Sequence, residues 1–169
     1  MKKLCLLILA ITTTYCSQAQ NLKKYPIGNS GCSVYLFCNA SFEATYSEDS
    51  SKVYTGECTT DSITYGAICV SLVKRTNDLG QAEEVMVAYL DYLKKVFNVV
   101  HAAGYGTGHH LNNNEDTRGI IDYWQDKDNN NWKIKAWTEG KYIAVIYAFS
   151  IKALPDTKVD VVLNSFRFP

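Results

Sequence analysis

The sequence lacks an excess of charge of either sign, and it lacks a second long apolar run. Its 17 basic and 17 acidic side chains balance, which gives no electrostatic case for binding nucleic acid or an anionic membrane. Beyond the first 20 residues no apolar run is long enough to span a bilayer, so we expect no transmembrane segment. Repeats and low-complexity linkers are also missing, which favours a single domain.

Recognisable catalytic and cofactor motifs are missing as well. Gly-x-Ser-x-Gly is absent, and no serine or cysteine nucleophile can be assigned. The sequence from Asp126 to Asn130 resembles the start of a calcium loop, but Asn131 and Trp137 stand where that loop needs Gly and a bidentate Glu. We therefore predict a turn there, no cofactor, and a protein that is not an enzyme.

The first 19 residues have the organisation of a secretory signal peptide. Lys2 and Lys3 give a positive start, residues 4–13 are apolar, and Ser17-Gln18-Ala19 has the small-x-small form of a cleavage site. Cleavage after Ala19 predicts an exported protein, periplasmic or extracellular.

The predicted mature chain comprises residues 20–169, which is the length of one ordinary domain. It keeps 15 basic and 17 acidic side chains, a net charge of −2. Lipidation at Cys16 is the alternative form of processing, although the bulky Tyr15 fits poorly before a lipidated cysteine.

Four cysteines remain after cleavage, namely Cys32, Cys38, Cys58 and Cys69. An oxidising compartment favours two disulfides. Cys32 and Cys38 flank a predicted strand that is too long to bridge, and Cys58 and Cys69 are mismatched across a turn. The remaining choices are 32–69 with 38–58, slightly preferred, or 32–58 with 38–69. A zinc site is the rival interpretation, but no Cys-x2-Cys pair is present.

Periodicity predicts an α+β fold with an antiparallel sheet of about seven strands, one long helix and one short C-terminal helix. Apolar residues recur at helical spacing over residues 82–100, with Asn77 or Asp78 as the cap. A last helix starts at Pro155. Strand patterns predict a hairpin of 33–37 with 42–46, a hairpin of 52–57 with 63–73, a glycine-rich strand at 102–111, and a meander of 118–125, 132–138 and 141–151.

This order of elements resembles the PsbP-like superfamily. The resemblance rests on hairpins, a long helix, antiparallel strands and a final helix, followed by Leu163-Asn164-Ser165-Phe166-Arg167-Phe168. It implies helices packed on a central antiparallel sheet, a PsbP-like sandwich. It also implies an accessory or binding domain, and it transfers no site residues.

The meander predicts a candidate binding face. Pairing Gln125 with Trp132 across the turn places Asp122 opposite Lys135 and Trp124 opposite Lys133. This face combines aromatic and charged side chains: Asp122, Trp124, Lys133, Lys135, Trp137 and Tyr142. The opposite face is expected to be core: Ile121, Tyr123, Ile134, Ala136, Ile143, Val145, Tyr147 and Phe149. Tryptophans on a partly wet face suggest an interaction patch, and we predict that it binds a protein or a small ligand.

Two alternatives of different class remain open. A hydrolase or metal-binding protein would use His109 or His110 with nearby acids such as Glu115 and Asp116. It would need one of these histidines in a cleft beside a carboxylate. A structural envelope protein would instead show an apolar patch and no cleft.

Overall fold

The computed structural model describes residues 21–169, so the predicted signal peptide and Cys16 lie outside the described residues. The strands are β1 (Lys23–Pro26), β2 (Ser33–Leu36), β3 (Glu43–Tyr46), β4 (Lys52–Thr60), β5 (Ile63–Ser71), β6 (Val99–Ala102), β7 (Gly106–His109), β8 (Arg118–Asp126), β9 (Asn131–Thr138) and β10 (Tyr142–Ser150). The helices are α1 (Leu79–Val96) and α2 (Asp156–Leu163). The predicted α+β class is confirmed.

The main sheet has eight strands, in place of the seven or so that the sequence predicted. Its order is β3-β4-β5-β10-β9-β8-β6, and β7 also pairs with β8. Every pairing in it is antiparallel. Of the strand predicted at 102–111, only β7 forms within the segment, because the chain turns at Gly104, whose φ of 96° is a left-handed conformation. Strand β6 starts at Val99, within the span predicted as helix.

The first predicted hairpin was wrong, whereas the second hairpin and the meander are confirmed. Strand β2 pairs with β1, in a segment that the sequence presented as a polar arm, and not with β3. The tight connection is possible because Gly28 and Gly31 adopt positive φ angles of 54° and 85°. Strand β3 instead joins the edge of the main sheet beside β4.

The two-stranded sheet also holds the end of the described chain. Backbone groups of Ser33 and Arg167 exchange two hydrogen bonds, of 3.0 and 2.8 Å. The Ser165 hydroxyl accepts from the Tyr35 N–H and donates to the Tyr35 carbonyl oxygen, each at 3.0 Å. Residues near the two ends of the described chain therefore pair directly.

Helix α1 matches the predicted helix but begins and ends earlier. The Asp78 carboxylate caps it by accepting from the Gly80 and Gln81 N–H groups. It stops at Val96 because Asn98, at a φ of 53°, reverses the chain so that Val99 can start β6. Its inner stripe is buried: Ala82, Met86, Leu90 and Leu93. None of the helices described over residues 21–169 is long and apolar enough to cross a membrane.

The helices lie on opposite faces of the sheet, which gives two separate cores. The α1 face packs Met86, Leu90 and Leu93 against sheet residues that include Ile68, Ile120, Trp124, Trp132 and Val145. The α2 face packs Val159, Val162 and Leu163 against sheet residues that include Tyr65, Cys69, Trp137 and Ile146. Phe166, which follows α2, is fully buried in the second core.

Candidate functional site

The β8–β9 register differs by one residue from the predicted register. Trp124 pairs with Trp132 and Asp122 pairs with Ile134, rather than with Lys133 and Lys135. The Asp126 side chain sets this turn, since one carboxylate oxygen accepts from the Asp128 and Asn130 N–H groups at 2.9 Å. The turn itself is confirmed. A slip of one residue moves every side chain of a strand to the other face. The side chains of β9 therefore lie on the opposite faces of the sheet from those predicted relative to β8.

The six predicted binding residues consequently do not share a face, and the predicted face was wrong. Asp122 and Trp124 point into the α1 face, whereas Lys133, Lys135, Trp137 and Tyr142 belong to the α2 face. The residues predicted as one core are also separated: Ile134 and Ala136 lie beside Ile120 on the α1 face, whereas Ile121 and Tyr123 pair with Lys135 and Lys133 on the other face. Trp124 and Trp137 are each only 3% exposed, so neither offers a surface to a ligand.

Asp122 and Trp124 form a buried polar link under α1. The Trp124 indole N–H donates to Asp122 Oδ2 at 2.6 Å, and Lys94 Nζ lies 3.4 Å from the same oxygen. A buried carboxylate needs such partners, because isolated charges are costly away from water. These residues therefore stabilise the fold.

Lys133 and Lys135 hold α2 against the sheet. Lys133 Nζ lies 2.8 Å from Asp156 and 3.2 Å from Asp160, and Lys135 Nζ donates to Asn164 at 2.8 Å. Burial would lower the pKa of Lys133, but the two aspartates outweigh it and raise that pKa. The paired ammonium groups are engaged and do not form a free anion site.

Trp137 is fitted into the α2 face by a glycine. A Cβ on Gly119 would lie 2.2 Å from the Trp137 ring, so only glycine fits opposite it. The Trp137 indole N–H donates to the carbonyl oxygen of Leu163 at 3.3 Å. The side chain thus joins the sheet to the end of α2.

The histidines lie apart from any cluster of metal ligands. His109 and His110 line a shallow cavity of about 610 Å³ with Glu115 and Arg118. His110 Nδ1 lies 2.9 Å from the Thr117 carbonyl oxygen. Across residues 21–169 no three His, Cys, Asp or Glu side chains are placed to hold a metal ion.

One of the two predicted disulfides is present, in the preferred pairing, and the second predicted disulfide was wrong. Cys38 and Cys58 form a disulfide with a Cα–Cα distance of 5.7 Å. Cys32 and Cys69 are buried free thiols. The neighbouring Cys32 side chain, and then burial, raise the pKa of Cys69.

A polar cleft of about 540 Å³ lies at the end of the sheet near the β9–β10 turn. Tyr142 is the predicted site residue that lines it. Three of its charged groups are engaged, with Arg75 3.1 Å from Glu139 and the Lys141 ammonium bonded to the Leu72 carbonyl oxygen. The Tyr142 hydroxyl donates to the Ser30 carbonyl oxygen at 3.1 Å, so the ring is anchored in the wall.

A second cavity lies on the α1 face and is mostly aromatic and aliphatic. Helix α1 packs chiefly over β9, β8 and β6 and also covers Ile68 of β5, whereas Glu43 of β3 and Thr55 and Glu57 of β4 stay exposed beside it. The groove between this part of the sheet and the helix has a volume of about 530 Å³. We call it the aromatic groove; its lining comprises Ser41, Glu43, Val53, Thr55, Gly56, Glu57, Ile68, Tyr89, Tyr92, Leu93, Val96, Phe97 and Tyr147.

The floor of the aromatic groove is built on one cross-strand row. Glu57, Gly66 and Tyr147 are neighbours across β4, β5 and β10. A Cβ on Gly66 would lie 2.3 Å from the Tyr147 ring, so the glycine lets that ring cross β5 and its hydroxyl donate to Glu57 Oε1. Burial, and then the Glu57 charge, raise the pKa of Tyr147, which keeps the phenol neutral.

The wall of the groove is a pair of tyrosines from α1. Tyr89 and Tyr92 are stacked with ring centroids 6.0 Å apart and an interplanar angle of 27°. Tyr92 is 57% exposed, and burial raises the pKa of Tyr89 to about 12. Phe97 closes the end of the groove and stacks on Trp132 at 4.8 Å. The wall is therefore partly buried at Tyr89 and open to solvent at Tyr92.

No protein-family model matches the chain, and the search of curated proteins found no significant relative. The geometry therefore carries the functional argument. Sequence analysis missed the aromatic groove, although the abundance of tyrosine and the place of Tyr89 in the helical stripe were signals that pointed toward it.

Proposed function

We propose that this protein is an exported, non-enzymatic binding domain that takes a small ligand in the aromatic groove. The observation that carries the proposal is the uncovered part of the sheet beside α1, where Tyr89 and Tyr92 share a cavity with Val53 and Glu57. Pockets that bind small molecules are typically clefts of roughly 300–1,000 Å³ with an apolar lining and few polar groups. The groove has this size, and its lining combines aromatic and aliphatic side chains with two carboxylates.

Two observations support export. The first 19 residues have the pattern of a signal peptide, and the Cys38–Cys58 disulfide is typical of an oxidising compartment. The PsbP-like order of elements further supports an accessory or binding role. An accessory domain of this kind needs a recognition surface rather than a catalytic centre.

The groove is better suited to reversible binding than to catalysis. Glu57 is its central polar group, and its Oε1 already accepts the Tyr147 hydrogen bond. Among the lining residues there is no histidine, cysteine or lysine to serve as a base or nucleophile beside it. A ligand would be held by ring contacts and oriented by Glu57.

The proposal is tested by fragment binding to the processed protein, followed by NMR of its methyl and aromatic groups. We expect bound fragments to shift the signals of Ile68, Leu93 and Tyr92 together. Tyr92→Ala should weaken these fragments about tenfold, since stacking on one aromatic ring contributes about 0.5–1.5 kcal/mol beyond area. Tyr46→Ala is the matched control, because Tyr46 is 71% exposed on the edge strand β3 and does not line the groove.

Two results would refute the groove as the site. One is fragment shifts confined to the polar cleft around Tyr142. The other is equal weakening of binding by Tyr92→Ala and Tyr46→Ala, which would indicate nonspecific contact with exposed rings.

A further inference from the structure

The charged groups in the lining of the aromatic groove are all negative. Glu43 and Glu57 are carboxylates, and the lining contains no lysine or arginine. Glu43 pairs with Thr55 across β3 and β4, so the two side chains share a face. Thr55 and Glu57 are two residues apart in β4 and also share a face, so both acids lie on the α1 face. A cavity with two carboxylates and no cation attracts positive charge and disfavours anions.

The nearest cations on α1 are directed elsewhere. Lys94 Nζ lies 3.4 Å from Asp122 and donates to the Tyr105 hydroxyl at 3.0 Å, and so is committed to the β8 side of the helix. Lys95 is exposed and is not part of the lining. The carboxylates of the groove are therefore not neutralised from within its own walls.

The aromatic rings add a second attraction for cations. Tyr89, Tyr92 and Phe97 line the same space as Glu57, above the buried ring of Tyr147. Aromatic faces attract ammonium groups, and rings grouped around a cation are the usual means of recognising quaternary ammonium. Stacking of Tyr89 on Tyr92 fixes two of these rings before any ligand arrives.

We infer that the ligand of the aromatic groove is a small organic cation of the alkylammonium class, held by the tyrosine rings and by Glu57. This inference rests on the proposed function, since it names the ligand class of the same site. A quaternary ammonium fits better than a bare amine, because its methyl groups can pack on the partly exposed Val53 and the Tyr92 ring while its charge lies near Glu57.

The decisive measurement compares two probes of the same shape. Choline carries a quaternary nitrogen, and 3,3-dimethyl-1-butanol has a neutral carbon in the same place. We expect choline to bind the processed protein about tenfold more tightly than its neutral isostere, as measured by NMR titration. Both probes should shift the same groove signals.

Matched variants separate the contribution of charge from that of shape. Glu57→Gln should weaken choline by up to about fivefold and leave the isostere unchanged, as expected for an exposed ion pair. Tyr92→Ala should weaken choline about tenfold. Glu84→Gln, an exposed carboxylate of α1 that does not line the groove, should change neither probe.

The failure of this inference differs from the failure of the proposed function. Equal affinity of choline and the isostere in the groove would overturn the cation class and leave the groove as a site for neutral ligands. The same conclusion would follow if neutral fragments bind there and choline does not. Absence of any small molecule from the groove at high concentration would overturn the proposed function itself.

Discussion

Replacing Trp124 or Trp137 by alanine is expected to destabilise the protein strongly. Both side chains are 3% exposed, one in each core. Removal of a buried tryptophan costs about 3–5 kcal/mol, through lost transfer energy and the cavity left behind. The opposite expectation, nearly unchanged stability, would hold if the two rings lay together on an exposed face.

Each substitution also removes a specific contact. Trp124→Ala deletes the donor at 2.6 Å from Asp122, which leaves a fully buried carboxylate with one partner fewer. Trp137→Ala opens the space above Gly119 and frees the Leu163 carbonyl oxygen at the end of α2. We therefore expect both variants to fall in the upper part of the range, nearer about 5 kcal/mol than 3.

Thermal melts monitored by circular dichroism provide the measurement. For a domain of this size each kcal/mol lowers Tm by about 2–4 °C, so the expected fall is about 10–20 °C. Tyr123→Ala is the control, because Tyr123 is adjacent in sequence but 48% exposed, and it should cost less than about 1 kcal/mol. Wild-type melting of either tryptophan variant would refute the register and the burial described above.

Three further substitutions or treatments have defined outcomes. Gly66→Ala should lower the free energy of unfolding by about 1–3 kcal/mol and break the Tyr147–Glu57 hydrogen bond. Thermal melting and the Tyr147 NMR signal measure the two effects. Gly106→Ala is the control and should be nearly neutral, because its added Cβ would meet nothing closer than 3.5 Å. Exchange with a small-molecule disulfide should form a Cys32–Cys69 disulfide, while the S–S bond of the reagent breaks and the reagent is released as two thiols that carry the two protons. Peptide mapping without reduction should recover the linked peptides, and free alkylation of both cysteines after this treatment would contradict the prediction. Asp126→Asn should cost about 1–3 kcal/mol at neutral pH, because hydrogen bonds from Asn130 and Trp132 overcome burial and lower the Asp126 pKa. A carboxyl group with a depressed pKa stabilises the folded state at pH values above its ordinary pKa of 3.8, and this stabilisation is lost as the pH falls through the pKa of the folded state. The unfolding free energies of wild type and variant should therefore converge in acid. A constant difference between them down to pH 2 would exclude this origin.

Local patterns predicted the individual elements well. The helical stripe gave α1, the alternating segments gave β4, β5 and the meander, and the apolar spacing after Pro155 gave α2. These signals lie within one element or one turn, where the residues that decide the structure are close in sequence. The Cys38–Cys58 pairing was also anticipated, since it followed from strand lengths and disulfide reach.

The candidate site depended on information that local patterns do not contain. The register of β9 was set by how the Asp126 side chain closed a turn, and an error of one residue exchanged the two faces. The aromatic groove depended on which part of the sheet α1 left uncovered, a matter of packing between distant segments. Neither the helix stripe nor the strand alternation specifies that choice.

The pairing of Ser33 with Arg167 has a consequence for the order in which the chain can assemble. Hairpins such as β4–β5 need only neighbouring residues, but the Tyr35–Ser165 contacts join positions 130 residues apart. A chain delivered gradually from its N-terminal end would carry β2 with open backbone groups until the segment after α2 arrived. The segment after α2 therefore completes the pairing of β2 last. Extensions or truncations there should slow the last step of folding while leaving the central sheet able to form.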